Sequence, residues 1–236
     1  MSPILPGTFQ YFGWFCLLSA FLIGGFSGKL ILKFVKDTVY SVTASIFFSG
    51  SVLYLKRVFW HTALSGQWII IAALYIWWCR EKEYDNKKSI LVWALMSFIS
   101  LTTEAYFVPM IWGIMLCSLL SYHLSGEKFK EGVKRTLPVI FCAAGVTLVT
   151  AASLGMFHGS VTASDNMLGD VSFNYNSFFN PMEYSSFFKG LPLHSSLQYE
   201  GYAYPGIGIY LLIVVLIFGY ILKSVKKIYL GNFFLI

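Results

Sequence analysis

The chain has 236 residues, of which 57% are hydrophobic and only 12% are charged. A soluble domain usually carries about 25% charged residues, because its water-facing surface needs them, so a soluble globular protein is excluded. The net charge is +6, but the basic residues lie in short clusters between apolar stretches. This placement is typical of membrane topology signals and not of a nucleic-acid surface. The lipid bilayer is the expected partner, and nucleic acid is not.

Seven apolar segments are long enough, or nearly so, to cross about 30 Å of hydrocarbon as helices. They run approximately 11–32, 38–55, 62–79, 89–105, 107–124, 136–157 and 203–222. The fourth and fifth segments are close together, so a broken or re-entrant pair is the alternative to two full spans. The pattern predicts an all-α, polytopic transmembrane helix bundle, one domain over residues 1–236, with an extracytoplasmic loop at about 158–202.

The basic residues favour one orientation. Fourteen of the seventeen lie in one alternate set of connections, and the opposite set holds only Lys56, Arg57 and Lys189. By the positive-inside rule, the N-terminus and the long loop are outside and the C-terminus is inside. An outside N-terminus without a signal peptide, together with the apolar stretch 228–236, leads us to expect a fragment of a longer protein. The alternative is a complete small protein inserted with its N-terminus outside.

Polar groups near the predicted outer boundary form three clusters. The first is Lys56-Arg57-Val58-Phe59-Trp60-His61, in which Arg57 and His61 would share a helix face. It is either an anion site for a phosphate or diphosphate or a set of side chains snorkelling to the interface beside Trp60.

The second cluster contains Glu104, which is flanked by apolar helix on both sides. Glu104 either pairs with Arg57 as a structural bridge or binds substrate. The third cluster is the long outer loop, which is rich in Asn, Tyr and Phe and poor in charge. Such a composition suits contacts to sugar rings and amphipathic lipids, and it equally suits a loop that lies on the membrane surface with its aromatic residues as anchors.

Several of these motifs carry a family resemblance. They are RVFWHTALSGQWIIIAALY from Arg57 to Tyr75, the stretch from Tyr175 to Pro181, the pair Leu191-Pro192, and the string Gln198-Tyr199-Glu200-Gly201-Tyr202. Together they resemble an uncharacterised family of bacterial polytopic membrane proteins, similar to the C-type glycosyltransferases that take sugar from a polyprenyl-phosphate carrier. The resemblance runs from Gly13 to about Leu212. It departs from the family pattern at Gln67, where a second His is expected, and at Thr103-Glu104, where a His-Pro pair is expected.

The resemblance implies transfer of a sugar from a lipid-phosphate carrier on the extracytoplasmic face of the bacterial inner (plasma) membrane. Cations would stabilise the phosphate leaving group, and a carboxylate would act as general base on the acceptor hydroxyl. The implied substrate- or phosphate-binding residues are Lys56, Arg57, His61, Glu104, Gln198, Tyr199 and Glu200. The acidic first outer loop of such enzymes has no counterpart here, so the main catalytic base is expected to lie outside this chain.

No cofactor is predicted. A divalent metal is compatible with the implied chemistry, but no ligand cluster in the sequence indicates one. Two functions from other classes stay open. One is a transporter or flippase of lipid-linked glycans, which needs polar residues lining a path through the spans. The other is a non-catalytic membrane scaffold whose outer loop binds a partner.

Overall fold

The computed structural model describes residues 11–79, 86–124, 129–158, 173–193, 198 and 202–221. All regular secondary structure in these ranges is helical, so the predicted all-α class is confirmed for the described residues. By its internal contacts the chain divides into two compact units, Met1–Gly159 and Ser160–Ile236.

The described part of the first unit contains seven α-helices and one 3₁₀ helix. They are α1 Tyr11–Phe34, α2 Thr38–Ser49, α3 Val52–Trp60, the 3₁₀ helix η1 Thr62–Gln67, α4 Trp68–Cys79, α5 Asn86–Thr103, α6 Phe107–Leu124 and α7 Phe129–Ser153. In the second unit, the 3₁₀ helix η2 spans Tyr175–Phe178 and α8 spans Ile207–Ile221.

Three helical stretches are long and apolar enough to cross a membrane. They are Tyr11–Phe34, Thr38–Trp60 and Lys130–Ser153. Three shorter apolar helices, Thr62–Trp78, Phe107–Ser121 and Ile207–Phe218, lie within other predicted spans. The described helices therefore have the length and composition of a membrane protein.

The segment predicted as one span at 38–55 is two helices in the structure. Gly50 caps the end of α2, and the Oγ of Ser51 accepts a hydrogen bond from the N–H of Tyr54 at 3.3 Å. A serine in this position satisfies one of the free N–H groups of a new helix turn. The chain therefore stays helical beyond the predicted end, and Arg57 lies in α3.

The fourth and fifth predicted segments form two separate helices of 18 residues each. The indole N–H of Trp112 in α6 donates to the Oγ of Ser97 in α5 at 3.2 Å. Pro109 lies in the first turn of α6, where its missing N–H would have had no partner within the helix.

The core of the first unit is formed by α4, α5, α6 and α7. Its buried apolar residues are Ile69, Ala72, Ala73, Trp93, Met96, Phe107, Ile111, Met115, Leu119, Val139 and Ala143. Helix α1 packs on α2 and on α4. The contact with α2 is close, because the Oγ of Ser41 donates to the carbonyl oxygen of Gly28 at 2.8 Å.

Contacts between helix termini define two opposite ends of the first unit. At one end, the rings of Phe34 and Trp78 lie 4.8 Å apart, and the indole N–H of Trp77 donates to the Oγ of Ser121 at 3.3 Å. We call this the basic end, because Lys33 lies in the last turn of α1 there. At the opposite end, which we call the η1 end, η1 contacts α1, α3 and α5.

Candidate functional site

The first predicted cluster lies where α3 ends and η1 begins. Lys56 and Arg57 are half-buried, and half-buried His61 caps the helix, with its N–H donating to the carbonyl oxygen of Arg57 at 2.9 Å. Tyr54 is buried on the same helix, and its hydroxyl donates to the carbonyl oxygen of Cys16 at 2.6 Å. Arg57 and His61 therefore lie one helical turn apart, on a helix held against α1.

The 3₁₀ helix η1 follows directly on His61 and carries the chain to the junction between α5 and α6. A Cβ atom on Gly66 would lie only 2.8 Å from the Cγ2 of Thr103 and 3.3 Å from the Cε2 of Phe107. Only a residue without a side chain fits there without a shift of these neighbours. Glu104 lies between these two residues in the chain, so η1 brings the cationic cluster and the acidic cluster to the same end of the unit.

Glu104 lies in the short turn that joins α5 to α6. Its N–H donates to the carbonyl oxygen of Ser100 at 2.8 Å, and its own carbonyl accepts from the N–H of Phe107 at 3.0 Å. Among the described side chains, the carboxylate of Glu104 and the guanidinium of Arg57 form no ion pair with each other. The structural bridge between Arg57 and Glu104 that the sequence offers as one alternative is therefore not formed.

Three further polar groups near this end have no hydrogen-bond partner within the described part of the chain. They are the Oγ atoms of Ser19 and Ser100 and the Nε2 of Gln67, and all three atoms are buried. Ser100 lies one turn before Glu104, and Gln67 is the last residue of η1. Buried polar groups are normally satisfied. Sequence reasoning did not single out these serines, because a serine in an apolar helix is ordinary.

The outer loop of the second unit is folded on itself around one buried amide. Asn180 is 1% exposed. Its Nδ2 donates to the carbonyl oxygen of Leu191 at 3.1 Å, and its Oδ1 accepts from the N–H groups of Leu191 and Met182 at 2.8 and 2.9 Å. Asn174 similarly caps the start of η2. These two amides, expected among possible sugar contacts, are used to hold the backbone of the loop.

Aromatic side chains join this loop to the first turn of α8. The rings of Phe179 and Tyr210 are stacked, with centroids 5.8 Å apart and an interplanar angle of 15°. The hydroxyl of Tyr210 donates to the carbonyl oxygen of Phe178 at 2.5 Å. The loop and the start of α8 therefore form one packed substructure.

A second aromatic contact lies just before α8. The ring of Tyr184 lies 5.2 Å from that of Tyr202, which is buried beside Tyr204 in the chain. Burial, and to a smaller extent the neighbouring hydroxyls of Tyr184 and Tyr204, raise the pKa of Tyr202 to about 12. The hydroxyl of Tyr202 therefore keeps its proton to a higher pH than that of an unperturbed tyrosine.

The remaining candidate residues belong to the string that ends at Tyr202. Gln198 is buried in the second unit, whereas Tyr199 and Glu200 lie outside the described residues. Within the ranges that the structure describes, no group of three or more His, Cys, Asp or Glu side chains gathers in a way that would hold a metal ion.

Comparison with known proteins identifies a family and no individual relative. Neither the curated proteins nor the solved structures contain a significant match to this chain. Residues 1–235 match the family described as "Domain of unknown function (DUF6311)". Because this match covers nearly the whole chain, the protein belongs to the DUF6311 family.

Proposed function

We propose that the protein is a multi-pass protein of the bacterial inner membrane that transfers a sugar from a lipid-phosphate carrier on the extracytoplasmic face. The observation that supports the proposal is that residues of opposite charge lie at the η1 end. There, a cationic cluster with Arg57 and an acidic turn with Glu104 lie at the same end of the first unit, and their charged groups form no ion pair with each other.

The proposed orientation follows from the distribution of charge between the two ends of the first unit. Lys33 lies in the last turn of α1 at the basic end. Lys87 and Lys88 lie in the first turn of α5, whose last residue, Thr103, reaches the η1 end. The positive-inside rule makes the basic end cytoplasmic. The proposal places seven spans in the membrane and the η1 end at the outer face, where the lipid-linked donor would bind.

The proposed chemistry begins with recognition of the donor phosphate. A guanidinium binds phosphate oxygens through two parallel hydrogen bonds, so Arg57 is the principal phosphate ligand. Lys56 adds positive charge and His61 donates a hydrogen bond from its ring, and both stabilise the phosphate as it leaves the sugar carbon. Glu104 accepts hydrogen bonds from hydroxyl groups of the sugar or the acceptor. Gln198, Tyr199 and Glu200 form a second set of proposed sugar or acceptor contacts.

Substitution at the chromosomal gene tests this proposal. Membranes from each strain receive a panel of radiolabelled sugars linked to polyprenyl phosphate, and transfer of label to cell-envelope acceptors is measured. Loss of a charge-assisted hydrogen bond costs about 1.5–3 kcal/mol, so we expect Arg57→Gln and Glu104→Gln each to lower transfer about 10- to 100-fold. The matched controls are Lys189→Gln and Glu183→Gln, which change exposed charges of the second unit and should leave transfer unchanged.

Normal transfer in both Arg57→Gln and Glu104→Gln, at normal protein levels, would remove the assigned site and favour the scaffold function. A deletion strain that retains all transfer activities of the wild type would remove the enzymatic function as a whole.

One observation favours transport of a lipid-linked glycan as the second candidate. The buried hydroxyls of Ser89 and Ser100 lie near opposite ends of α5 and have no partner among the described residues, as a polar path across the bundle requires. An assay in detergent distinguishes the two functions, because transport needs two compartments separated by a membrane and sugar transfer does not. Transfer that persists in detergent excludes pure transport, whereas loss of transfer in detergent with retained flipping in vesicles would establish it.

A further inference from the structure

We propose that residues 173–193 form a preorganised membrane anchor, whose aromatic side chains insert among the lipid headgroups where α8 enters the bilayer. The inference rests on the proposed function only in taking α8 as a membrane span. It assigns the loop to the lipid surface and not to the closing of a lid over a substrate.

The first argument is that the loop is held in a defined shape by its own residues. The side chain of Asn180 bonds to the backbone of both Leu191 and Met182. A Cβ atom on Gly190 would lie 2.8 Å from the carbonyl oxygen of Met182, so the two limbs of the loop approach closely at that point. A segment built in this way presents its outer side chains at fixed positions.

The second argument is the exposure of the large aromatic side chains. Tyr175 is 91% exposed, Phe187 is 82% exposed and Phe179 is 65% exposed within the structure. Exposed aromatic residues in this number on a rigid surface indicate an apolar or interfacial environment that covers them. Tyr is suited to the headgroup level, where its ring meets lipid and its hydroxyl meets water, and the wholly apolar ring of Phe is suited to the boundary between headgroups and acyl chains.

The third argument is the position of the loop along α8. Two contacts hold this part of the loop beside the first turn of α8. Phe179 stacks on Tyr210, and the hydroxyl of Tyr210 donates a hydrogen bond to the carbonyl oxygen of Phe178. After Tyr210, the exposed large side chains described for α8 are all apolar: Leu211, Leu212, Ile213, Val214, Val215, Ile217 and Phe218. The exposed ring of Phe179 is continuous with this surface, which identifies lipid as the occupant.

Spin labelling in lipid vesicles tests the anchor. The four cysteines are replaced, and single nitroxide labels are attached at residues 179, 187, 183 and 215 through the changes Phe179→Cys, Phe187→Cys, Glu183→Cys and Val215→Cys. The vesicles contain phosphatidylethanolamine and phosphatidylglycerol, and accessibility to oxygen is compared with accessibility to an aqueous nickel complex. We expect labels at 179 and 187 to favour oxygen several-fold over the exposed, charged control position 183.

Each alternative result has a distinct meaning. Aqueous accessibility at 179 and 187 equal to that at 183, with the label at 215 in lipid, would overturn the anchor and leave the span intact. Labels at 179 and 187 that neither reagent reaches would show that protein covers the loop, which also overturns the anchor. An aqueous label at 215 would instead remove α8 as a span, and with it the topology of the proposed function.

A second measurement keeps all native cysteines, in case their replacement prevents folding. The photoreactive residue p-benzoylphenylalanine is introduced in place of Phe187 and, as a control, in place of Glu183. After irradiation in the same vesicles, we expect a mass increase of one phospholipid from the Phe187 position and a much smaller yield from the Glu183 position. Equal yields, or adducts at the Phe187 position with protein only, would contradict the proposal.

Discussion

The loop of the second unit and the η1 end of the first unit use their polar side chains in opposite ways. In the loop, the amide of Asn180 makes three hydrogen bonds to neighbouring backbone groups. At the η1 end, Arg57 and Glu104 do not pair with each other, and the amide nitrogen of Gln67 has no partner in the described structure. The amides of the loop therefore stabilise its backbone, whereas the polar groups without partners make the η1 end the better candidate for ligand binding.

The largest effect on stability of the loop is expected from Asn180→Ala. This variant tests whether the buried amide holds the loop together. The variant loses three hydrogen bonds and leaves backbone groups of Leu191 and Met182 without partners, at a cost of about 2–4 kcal/mol. Chymotrypsin cleaves beside aromatic residues when the backbone around them opens locally, so cleavage of the purified protein in detergent should accelerate about 30-fold or more.

The matched control for this variant is Asn176→Ala. The Oδ1 of Asn176 has no partner among the described residues, so we expect the rate of chymotrypsin cleavage to stay within about 3-fold of wild type. Equal rates for the Asn180 and Asn176 variants would show that the Asn180 amide does not hold the loop.

The next effect concerns the contact that brings the two charged clusters together. Gly66→Ala places a methyl group 2.8 Å from the Cγ2 of Thr103, and overpacking of this kind costs about 1–3 kcal/mol. We expect a lower midpoint of thermal unfolding in detergent. Adding Thr103→Ser removes the clashing methyl group, so the double variant should recover part of the loss.

Gly145→Ala is the control for the Gly66 variant, because nothing lies within 4 Å of its added Cβ. Alanine is favoured over glycine inside a helix by about 0.5–1 kcal/mol, so this control should be neutral or stabilising. A Gly66 variant that is as stable as the Gly145 variant would contradict the tight packing of η1 on the α5–α6 junction.

A smaller effect is expected where the loop meets α8. Tyr210→Phe removes the hydroxyl that bonds to the carbonyl oxygen of Phe178 and keeps the ring that stacks on Phe179. One hydrogen bond contributes about 0.5–1.5 kcal/mol, so chymotrypsin cleavage should accelerate about 2- to 10-fold. Tyr210→Leu removes the stacking as well and should have the larger effect. Identical rates for the two variants would show that stacking contributes nothing to the loop.

The helical class could be predicted from the sequence, because spans in lipid must be helical and apolar runs mark them. The helix boundaries could not. Helix α7 begins at Phe129, although its first apolar run was predicted to begin near 136, because hydropathy reports the part of a helix suited to lipid and not the whole helix. Helix α8 begins at Ile207, because Gly206 before it has a φ of +97°, which no right-handed helix contains.

The candidate site could be predicted only in its parts. Arg57 and His61 are close in the chain, so a helical period suffices to place them on one face. The turn that carries Glu104 lies at the same end of the unit because Gly66 and Thr103 approach closely, and such an approach of distant segments leaves no periodic trace in the sequence. The hydrogen bonds of Asn180 were equally hidden, since their partner Leu191 is eleven residues away and no pattern in the sequence joins the two.

The remaining effect is a change in stability with pH that arises from Tyr202, in the segment that leads into α8. Burial, together with Tyr184 and Tyr204, raises the pKa of Tyr202 to about 12, from 10.0 for an unperturbed tyrosine. The unfolded protein therefore loses this proton first as the pH rises. The neutral hydroxyl imposes no penalty below pH 10, and stability is lost progressively between about pH 10 and pH 12. In Tyr202→Phe this loss should be absent, so the free energy of unfolding in detergent should fall less between pH 9 and pH 11.5 than in wild type. The difference in absorbance at 295 nm between wild type and Tyr202→Phe reports ionisation of Tyr202, and its midpoint should lie at a clearly higher pH than the midpoint for N-acetyltyrosinamide. Equal midpoints would show that Tyr202 is solvated and that the packing around the start of α8 is looser than its aromatic contacts indicate.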